Sequence, residues 1–249
     1  MQSFELSGQV AVITGGGQGI GEGIAKGFAD RGAAVVVAAR SADRIARVAD
    51  DITAGGGRAL AVPTDVTDRG QLEALADAAV STFGGLDIWV NNAGGSPLQA
   101  PLRELTEADW DACLNLNLTA LWKASVIAAD RMTEGGCIIN VTSPAADRAV
   151  PGSGHYSAAK AGVNALTRTM SVELAPEIRV NGIAPGYVPT EVMLSALDTD
   201  IPALEKMAEK RIPMQRLGTP DDMASCAIYL ASEAGSWVTG QTLTIAGGL

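Results

Sequence analysis

The sequence predicts an α/β protein: one doubly wound domain over residues 1–249, with a seven-stranded parallel sheet and helices on both faces. Three observations predict it. Seven short apolar runs alternate with stretches of helical length, and such alternation implies right-handed βαβ units rather than hairpins. Most of the runs are continuous, as strands buried on both faces are. The first run ends in a glycine-rich turn that opens a helix, the place where a doubly wound sheet builds its ligand crevice.

The elements follow in order. "VAVIT" (10–14) is the first strand and residues 19–31 the first helix. Between them "TGGGQGIG" (14–21) has the spacing T-G-x-x-x-G-x-G, a departure from strict G-x-G-x-x-G. Glycine there permits a tight turn and a close backbone approach to phosphate, and the helix N-terminus offers free N–H groups to the anion. A Rossmann-type dinucleotide crevice is therefore expected. "AAVVVAA" (33–39) and "RALAVPT" (58–64) are the next strands, with a helix over 42–54 between them. A helix over 68–83 leads to "LDIWVNN" (86–92), and one over 106–132 leads to "CIINVTS" (137–143). Helices over 155–175 and 219–231 precede "IRVNGIA" (178–184) and "TLTIAG" (242–247). Residues 185–220 contain Pro189, Pro202 and Pro213 and no strand pattern. That is too long for an ordinary connection, so it reads as a substrate-covering insertion with some helix.

Composition removes several function classes. Apolar residues make up 47% and charged residues 18%, enough to bury a sizeable core. A formal charge of -10 argues against nucleic acid or a membrane surface as partner. Cys113, Cys137 and Cys226 form no Cys-x-x-Cys pair, and there is one histidine. No disulfide framework and no metal centre are expected, and a reduced, cytoplasmic setting fits. The N-terminal "MQSFELSGQVAVITGG" lacks the basic start and long apolar run of a signal peptide. No window approaches the roughly 18 apolar residues of a membrane span.

The chemistry centres on "GSGHYSAAKAG" (152–162), which holds His155, Tyr156 and Lys160. Residues four apart share a helix face, so Tyr156 and Lys160 point into one cleft, while His155 is turned roughly a hundred degrees away. A nearby ammonium favours phenolate and lowers a tyrosine pKa, which brings the acid/base nearer working pH. Alone, the spacing also suits an ordinary exposed helix pair. Ser143 ends the fifth run and "NNAG" (91–94) the fourth. Together "TGGGQGIG", "NNAG", Ser143, Tyr156-x-x-x-Lys160 and "PG" (185–186) followed by Thr190 resemble the short-chain dehydrogenase/reductases over essentially the whole chain. "RVNGIAPG" (179–186) and "RLGTPDDMA" (216–224) strengthen the likeness, and bacterial ketone, hydroxysteroid and 3-oxoacyl reductases are similar.

The resemblance implies roles. Tyr156 is the proton donor to a ketone or acceptor from an alcohol, and Ser143 hydrogen-bonds the reacting oxygen. Lys160 lowers the tyrosine pKa and holds the nicotinamide ribose. Asn117 in "WDACLNLNLTA", rather than Asn115, holds a water for proton relay, and His155 packs beside the site. Cofactor contacts are implied for Gly15, Gln18, Gly19 and Ile20 in the glycine turn, and for Asp65 and Val66 at the adenine. Others are implied for Asn92, Ala93 and Gly94 on the cleft floor, and for Pro185, Gly186, Val188 and Thr190 at the nicotinamide. Asp65 also suits a turn aspartate. The cofactor supplies the hydride and the protein supplies position and electrostatics.

"VVVAARSADR" (35–44) bears on which cofactor. NAD-binding proteins of this fold carry an acid at the end of the second strand for the ribose 2′-hydroxyl. Here that position is Ala39, followed by Arg40 and Ser41. A guanidinium pairs bidentately with phosphate, so NADP(H) is expected over NAD(H), with NAD(H) the alternative. Gln18 stands where many NADP-using relatives have a second basic residue. Two departures from the family's pattern stand out. Pro144 biases Ser143 toward extended backbone. Ala246 replaces the customary aspartate of the last strand, a position expected to lie far from the proton chemistry.

The expected function is reversible hydride transfer between a nicotinamide cofactor and a ketone or secondary alcohol. The rivals are a 3-oxoacyl-thioester reductase of fatty-acid synthesis and a catalytically silent nucleotide-sensing or scaffold protein. Segments 95–103, 144–154 and 187–212 set the substrate, and their small and apolar residues favour a small uncharged compound. Trp110, Trp122 and Trp237 are expected to pack or to sit at interfaces. In the family the long helices pair across subunits, which implies a homotetramer or homodimer.

Overall fold

The computed structural model describes residues 3–96, 98–132 and 135–249. Each apolar run is a strand: β1 (Val10–Thr14), β2 (Ala34–Ala39), β3 (Arg58–Pro63), β4 (Ile88–Asn91), β5 (Gly136–Val141), β6 (Ile178–Pro185) and β7 (Thr242–Ile245). All pair in parallel in the order β3-β2-β1-β4-β5-β6-β7. The chain starts in mid-sheet, winds outward through β2 and β3, then returns to lay β4 on the other side of β1. That reversal opens a crevice at the C-terminal ends of β1 and β4.

The continuity of the apolar runs has a direct cause in the packing. β1 sends Ala11 and Ile13 into one core and Val10 and Val12 into the other. The first core lies under α1 (Gly19–Asp30) and α9 (Pro220–Ala231), through Ile24, Phe28, Met223 and Ala227. Ile45 and Val48 of α2 (Ala42–Ala54) join it. The second lies under α3 (Arg69–Phe83) and α5 (Ala120–Ala129), through Leu72, Leu75, Ala124 and Ile127. Each large side chain so buried contributes about 1.5–3 kcal/mol. Beneath the crevice the core is polar but satisfied. Trp89 Nε1 donates to Asn91 Oδ1 at 2.8 Å, and Asn91 Nδ2 donates to Ser125 Oγ at 2.8 Å and to Asn140 Oδ1 at 2.9 Å. Asn140 Nδ2 donates in turn to Thr167 Oγ1 at 2.9 Å. This network ties β4, β5, α5 and α6 (Gly154–Glu173) together just below the site.

One segment differs from the sequence reading and another follows it. The helix expected over 106–132 is α4 (Glu107–Leu114), a π-helical turn at Asn115–Thr119, and then α5. A capping box between Thr106 and Asp109 starts α4. The stretch Glu107–Ala129 passes the length and composition test for a membrane span at a mean hydropathy of 1.2, though Asp109, Asp111, Asn115, Asn117 and Lys123 interrupt its apolar residues. Its apolarity has a local use: Ala120, Ala124, Ile127 and Ala128 are buried in the second core. Residues 185–220 hold α7 (Glu191–Leu197) and α8 (Ile201–Arg211), capped at their N-termini by the side chains of Thr190 and Asp200.

Candidate active site

The floor of the crevice is fixed by main chain. Thr14 Oγ1 accepts hydrogen bonds from the N–H groups of Asn92 at 3.0 Å and Ala93 at 3.1 Å, and donates to the Val90 carbonyl at 3.1 Å. Asn92 Nδ2 donates back to the carbonyls of Thr14 and Gly15 at 3.0 and 3.1 Å. The ends of β1 and β4 are thereby locked together. A Cβ on Gly21 would collide with the Gly15 carbonyl and stand 2.5 Å from Asn92 Nδ2, so no larger residue fits where α1 leaves the turn. Gln18 caps α1 without a side-chain bond, and its Oε1 is buried with no partner. Free N–H groups and an idle acceptor beside a narrow turn fit the pyrophosphate and hydroxyls of a dinucleotide.

Ala39, Arg40, Ser41, Asp65 and Val66, the residues expected at the adenosine, all line one cleft. Ser41 precedes α2 without spending its hydroxyl on a cap. Arg40 has no hydrogen bond or ion pair among the described residues. Asp65 forms the turn expected of it, where Oδ1 accepts from Thr67 N–H at 2.9 Å and Thr67 Oγ1 at 2.7 Å, and the residue lines the cleft. Those bonds hold its carboxyl below the usual range. The remaining sequence-selected cofactor residues, from Gly15 and Ile20 to Gly186, Val188 and Thr190, line the same cleft.

At the other end Ser143, Tyr156 and Lys160 share the cleft wall. Ser143 is extended (φ -161, ψ 150) as Pro144 requires, and its Oγ accepts from Ala145 N–H at 3.2 Å. Lys160 is 4% exposed, and its Nζ donates to the Val141 carbonyl at 2.9 Å. Its Nζ stands 5.6 Å from the Tyr156 ring centre. Burial pushes Tyr156 up to about 12, partly opposed by the Ser143 hydroxyl. Burial also pushes Lys160 down to about 8. Desolvation dominates both groups, and Ser143 is the side chain that favours the phenolate.

Asn117, within the π turn, is buried at 1% exposure, whereas Asn115 is exposed. Its side chain does not line the cleft but clamps Gly95. Oδ1 accepts from Gly95 N–H at 2.9 Å, and Nδ2 donates to the Gly95 carbonyl at 2.9 Å and the Cys113 carbonyl at 3.0 Å. A Cβ on Gly94 would lie 2.8 Å from Asn117 Oδ1 and 3.5 Å from Lys160 Nζ, so these two polar groups flank the cleft floor from behind. His155 is 1% exposed and does not line the cleft.

A family model described as enoyl-(acyl carrier protein) reductase matches residues 15–249. The 7alpha-hydroxysteroid dehydrogenase of Escherichia coli strain K12 is 40% identical over 252 residues, covering 99% of this chain and 96% of that protein. The chain belongs to the short-chain dehydrogenase/reductase family. A solved 7 alpha-hydroxysteroid dehydrogenase complexed with NADH and 7-oxo glycochenodeoxycholic acid superposes with a TM-score of 0.92 at 40% identity, covering 98% of this chain and 95% of that one. A short-chain dehydrogenase from Burkholderia cenocepacia J2315 in complex with NADP superposes at 0.90 with 36% identity, covering 98% of each chain. Like its relatives, this short-chain dehydrogenase/reductase is an oxidoreductase acting on CH–OH donors.

In this family member the cleft runs on past the catalytic wall, for a total of about 1270 Å³. That exceeds the roughly 300–1,000 Å³ of a single-ligand pocket and suits a cofactor beside a substrate. The substrate end is roofed by α7, which is tied at both ends. Arg44 Nη1 of α2 meets Glu191 Oε2 at 2.8 Å, and Gln99 Nε2 donates to the Ala196 carbonyl at 2.7 Å. Ala246 is nearer the site than expected, since a Cβ on Gly186 would touch its side chain at 2.8 Å. Arg44, Gln99, Arg148 and Arg211 also line the cleft; the last three fall in the segments expected to set the substrate, but none stands out there as a single residue. They lie outside the family motifs, and only the tertiary arrangement brings them together.

Proposed function

We propose that this enzyme interconverts a ketone and a secondary alcohol reversibly, with NADP(H) preferred over NAD(H). The observation that carries the reading is the placement of Ser143, Tyr156 and Lys160 on one wall of a cleft whose other end is a dinucleotide crevice. The bound nicotinamide would supply or accept the hydride. Ser143 and Tyr156 would hold the ketone oxygen, and Tyr156 would protonate it. A tyrosine pushed up to about 12 is protonated at neutral pH. Lys160, pushed down to about 8, is still mostly charged there. Lys160 would return a proton to the phenolate after each turnover and be reprotonated in turn from solvent. Ala39, the unpaired Arg40 and the free Ser41 hydroxyl support the 2′-phosphate of NADP(H). The relative's complex with a 7-oxo steroid supports a compact alicyclic substrate. The reading takes residues 1–249 as one domain, in the cytoplasm, where its three free thiols stay reduced. It joins copies into a homotetramer through exposed Trp122 and Val172 on α5 and α6.

The test is turnover of cyclic ketones, diketones and acetoacetyl thioesters, with and without Tyr156→Phe. Tyr156→Phe is expected to cost about 10²–10⁴-fold in rate while melting and cofactor affinity hold. The wild-type kcat/KM for reduction is expected to fall above about pH 8, where Lys160 loses its proton. Residual activity of Lys160→Ala would lack that limb. Turnover of thioesters alone, or a Tyr156→Phe enzyme at full rate, would refute the reading.

A further inference from the structure

The cleft gathers cations in a chain with 28 acidic and 18 basic side chains. Among the described residues, its charged lining is Arg40, Arg44, Arg148, Lys160 and Arg211, against Asp65 as the single acidic side chain. The pairing of the arginines is equally uneven. Among the described residues, Arg31, Arg44, Arg47, Arg69, Arg131 and Arg216 form ion pairs, Arg179 binds carbonyls and Arg58 stacks on Phe83. That leaves Arg40, Arg103, Arg148, Arg168 and Arg211 without a hydrogen bond or ion pair; Arg40 acts at longer range on the Asp65 carboxyl, and Arg40, Arg148 and Arg211 line the cleft.

Arg40 belongs to the adenosine end and Lys160 to the proton chemistry. A nicotinamide dinucleotide carries its anionic groups on the pyrophosphate and the 2′-phosphate, at the glycine turn and Arg40. Arg148 and Arg211 lie elsewhere. Arg148 follows the 3₁₀ turn Pro144–Ala146, between Ser143 and Tyr156 in the chain, and Arg211 is the last residue of α8. At the end of α8 a positive charge also suits the helix dipole, but that accounts for neither Arg148 nor the convergence of both on one cleft. Both arginines are exposed, and the same cleft has apolar lining from Pro144, Ala145, Val150, Val192, Met193 and Leu197.

We propose that the substrate is an anion: a hydrophobic keto acid, or its hydroxy acid, whose ring or chain lies on these apolar side chains. Its carbonyl meets Ser143 and Tyr156, and its carboxylate is read by Arg148 and Arg211. This replaces the uncharged compound expected from the apolar segments, and it rests on the ketone reductase reading. Guanidinium is the side chain best matched to a carboxylate, through paired N–H···O bonds.

The experiment uses 4-oxocyclohexyl probes bearing a carboxylate directly, through two methylenes or through four, each beside its methyl ester. At least one acid is expected to be reduced with a kcat/KM about ten- to a hundredfold above its ester, carried by KM and eroded by salt. Arg148→Ala and Arg211→Ala are expected to bring that acid-to-ester ratio toward one. Calorimetric binding of the corresponding hydroxy acids to the cofactor-loaded protein reads the anion site without turnover. If acids bind through Arg148 and Arg211 but nothing is reduced, the ketone reductase reading fails and the anion site stands. Esters equal to acids in both rate and binding, or a ratio untouched by both substitutions, would overturn the proposal.

Discussion

Where the dinucleotide would lie, the wall consists of strand ends and main chain; where the substrate would lie, it is loops and a short helix held by single contacts. Thr14 and Asn92 lock β1 to β4 with five hydrogen bonds, over a core whose strands are almost wholly buried. The roof over the substrate, α7, buries none of its own residues and is fastened by Arg44–Glu191 and Gln99–Ala196. A cofactor common to many reactions calls for fixed geometry, and backbone supplies it with little dependence on side chains. A substrate wall made of side chains on loops changes by substitution without disturbing the sheet.

Three substitutions break or sharpen this contrast. The largest effect is expected at the rigid end. Gly21→Ala drives a methyl into the Gly15 carbonyl, and neither backbone can yield. Cofactor affinity is expected to fall at least about a hundredfold, with about 1–3 kcal/mol lost from stability as in other overpacked sites. Fluorescence titration and thermal melting would show it, and wild-type affinity would mean the turn is softer than described.

The next effect keeps the frame and changes its charge. Ala39→Asp combined with Arg40→Ala places a carboxylate where the 2′-phosphate would sit and removes its cation. The NADPH-over-NADH ratio of kcat/KM is expected to fall by about ten- to a hundredfold. A wild-type enzyme faster with NADH would overturn the cofactor assignment.

The smallest effect is at the loose end. Gln99→Ala removes one tether of α7, worth about 1 kcal/mol. A roughly fivefold rise in substrate KM is expected, with cofactor Kd and melting temperature unmoved. A parallel loss of cofactor affinity would show that the two ends are one rigid unit.

Legibility from sequence follows the same division. Val10–Thr14 reads as a doubly buried strand because Ala11, Ile13 and Val10, Val12 face opposite cores, and no other arrangement needs a continuous run. The glycine turn reads because steric demands there are local. Asn117 was separable from Asn115 by register, yet its clamp on Gly95 was not, since that bond spans a π turn no propensity announces. The direction of the Tyr156 shift was out of reach for a related reason. Spacing places the ammonium near the ring, but only the fold reveals that both groups are buried and that Lys160 bonds the Val141 carbonyl. Arg148 and Arg211 are separated by the whole of α6, β6 and α7 and nearly all of α8, so nothing in their sequence context joins them.

The Arg44–Glu191 pair has a thermodynamic consequence of its own. It joins a helix beside the adenosine to the helix over the substrate, so each ligand senses the same pair. Linkage is reciprocal: whatever free energy cofactor binding spends or gains on that contact, substrate binding must meet with equal size and sign. Both side chains are about half exposed or more, at 48% and 68%, which limits such a pair to about 1 kcal/mol. The two ligands are therefore coupled through this contact by no more than about fivefold in either affinity.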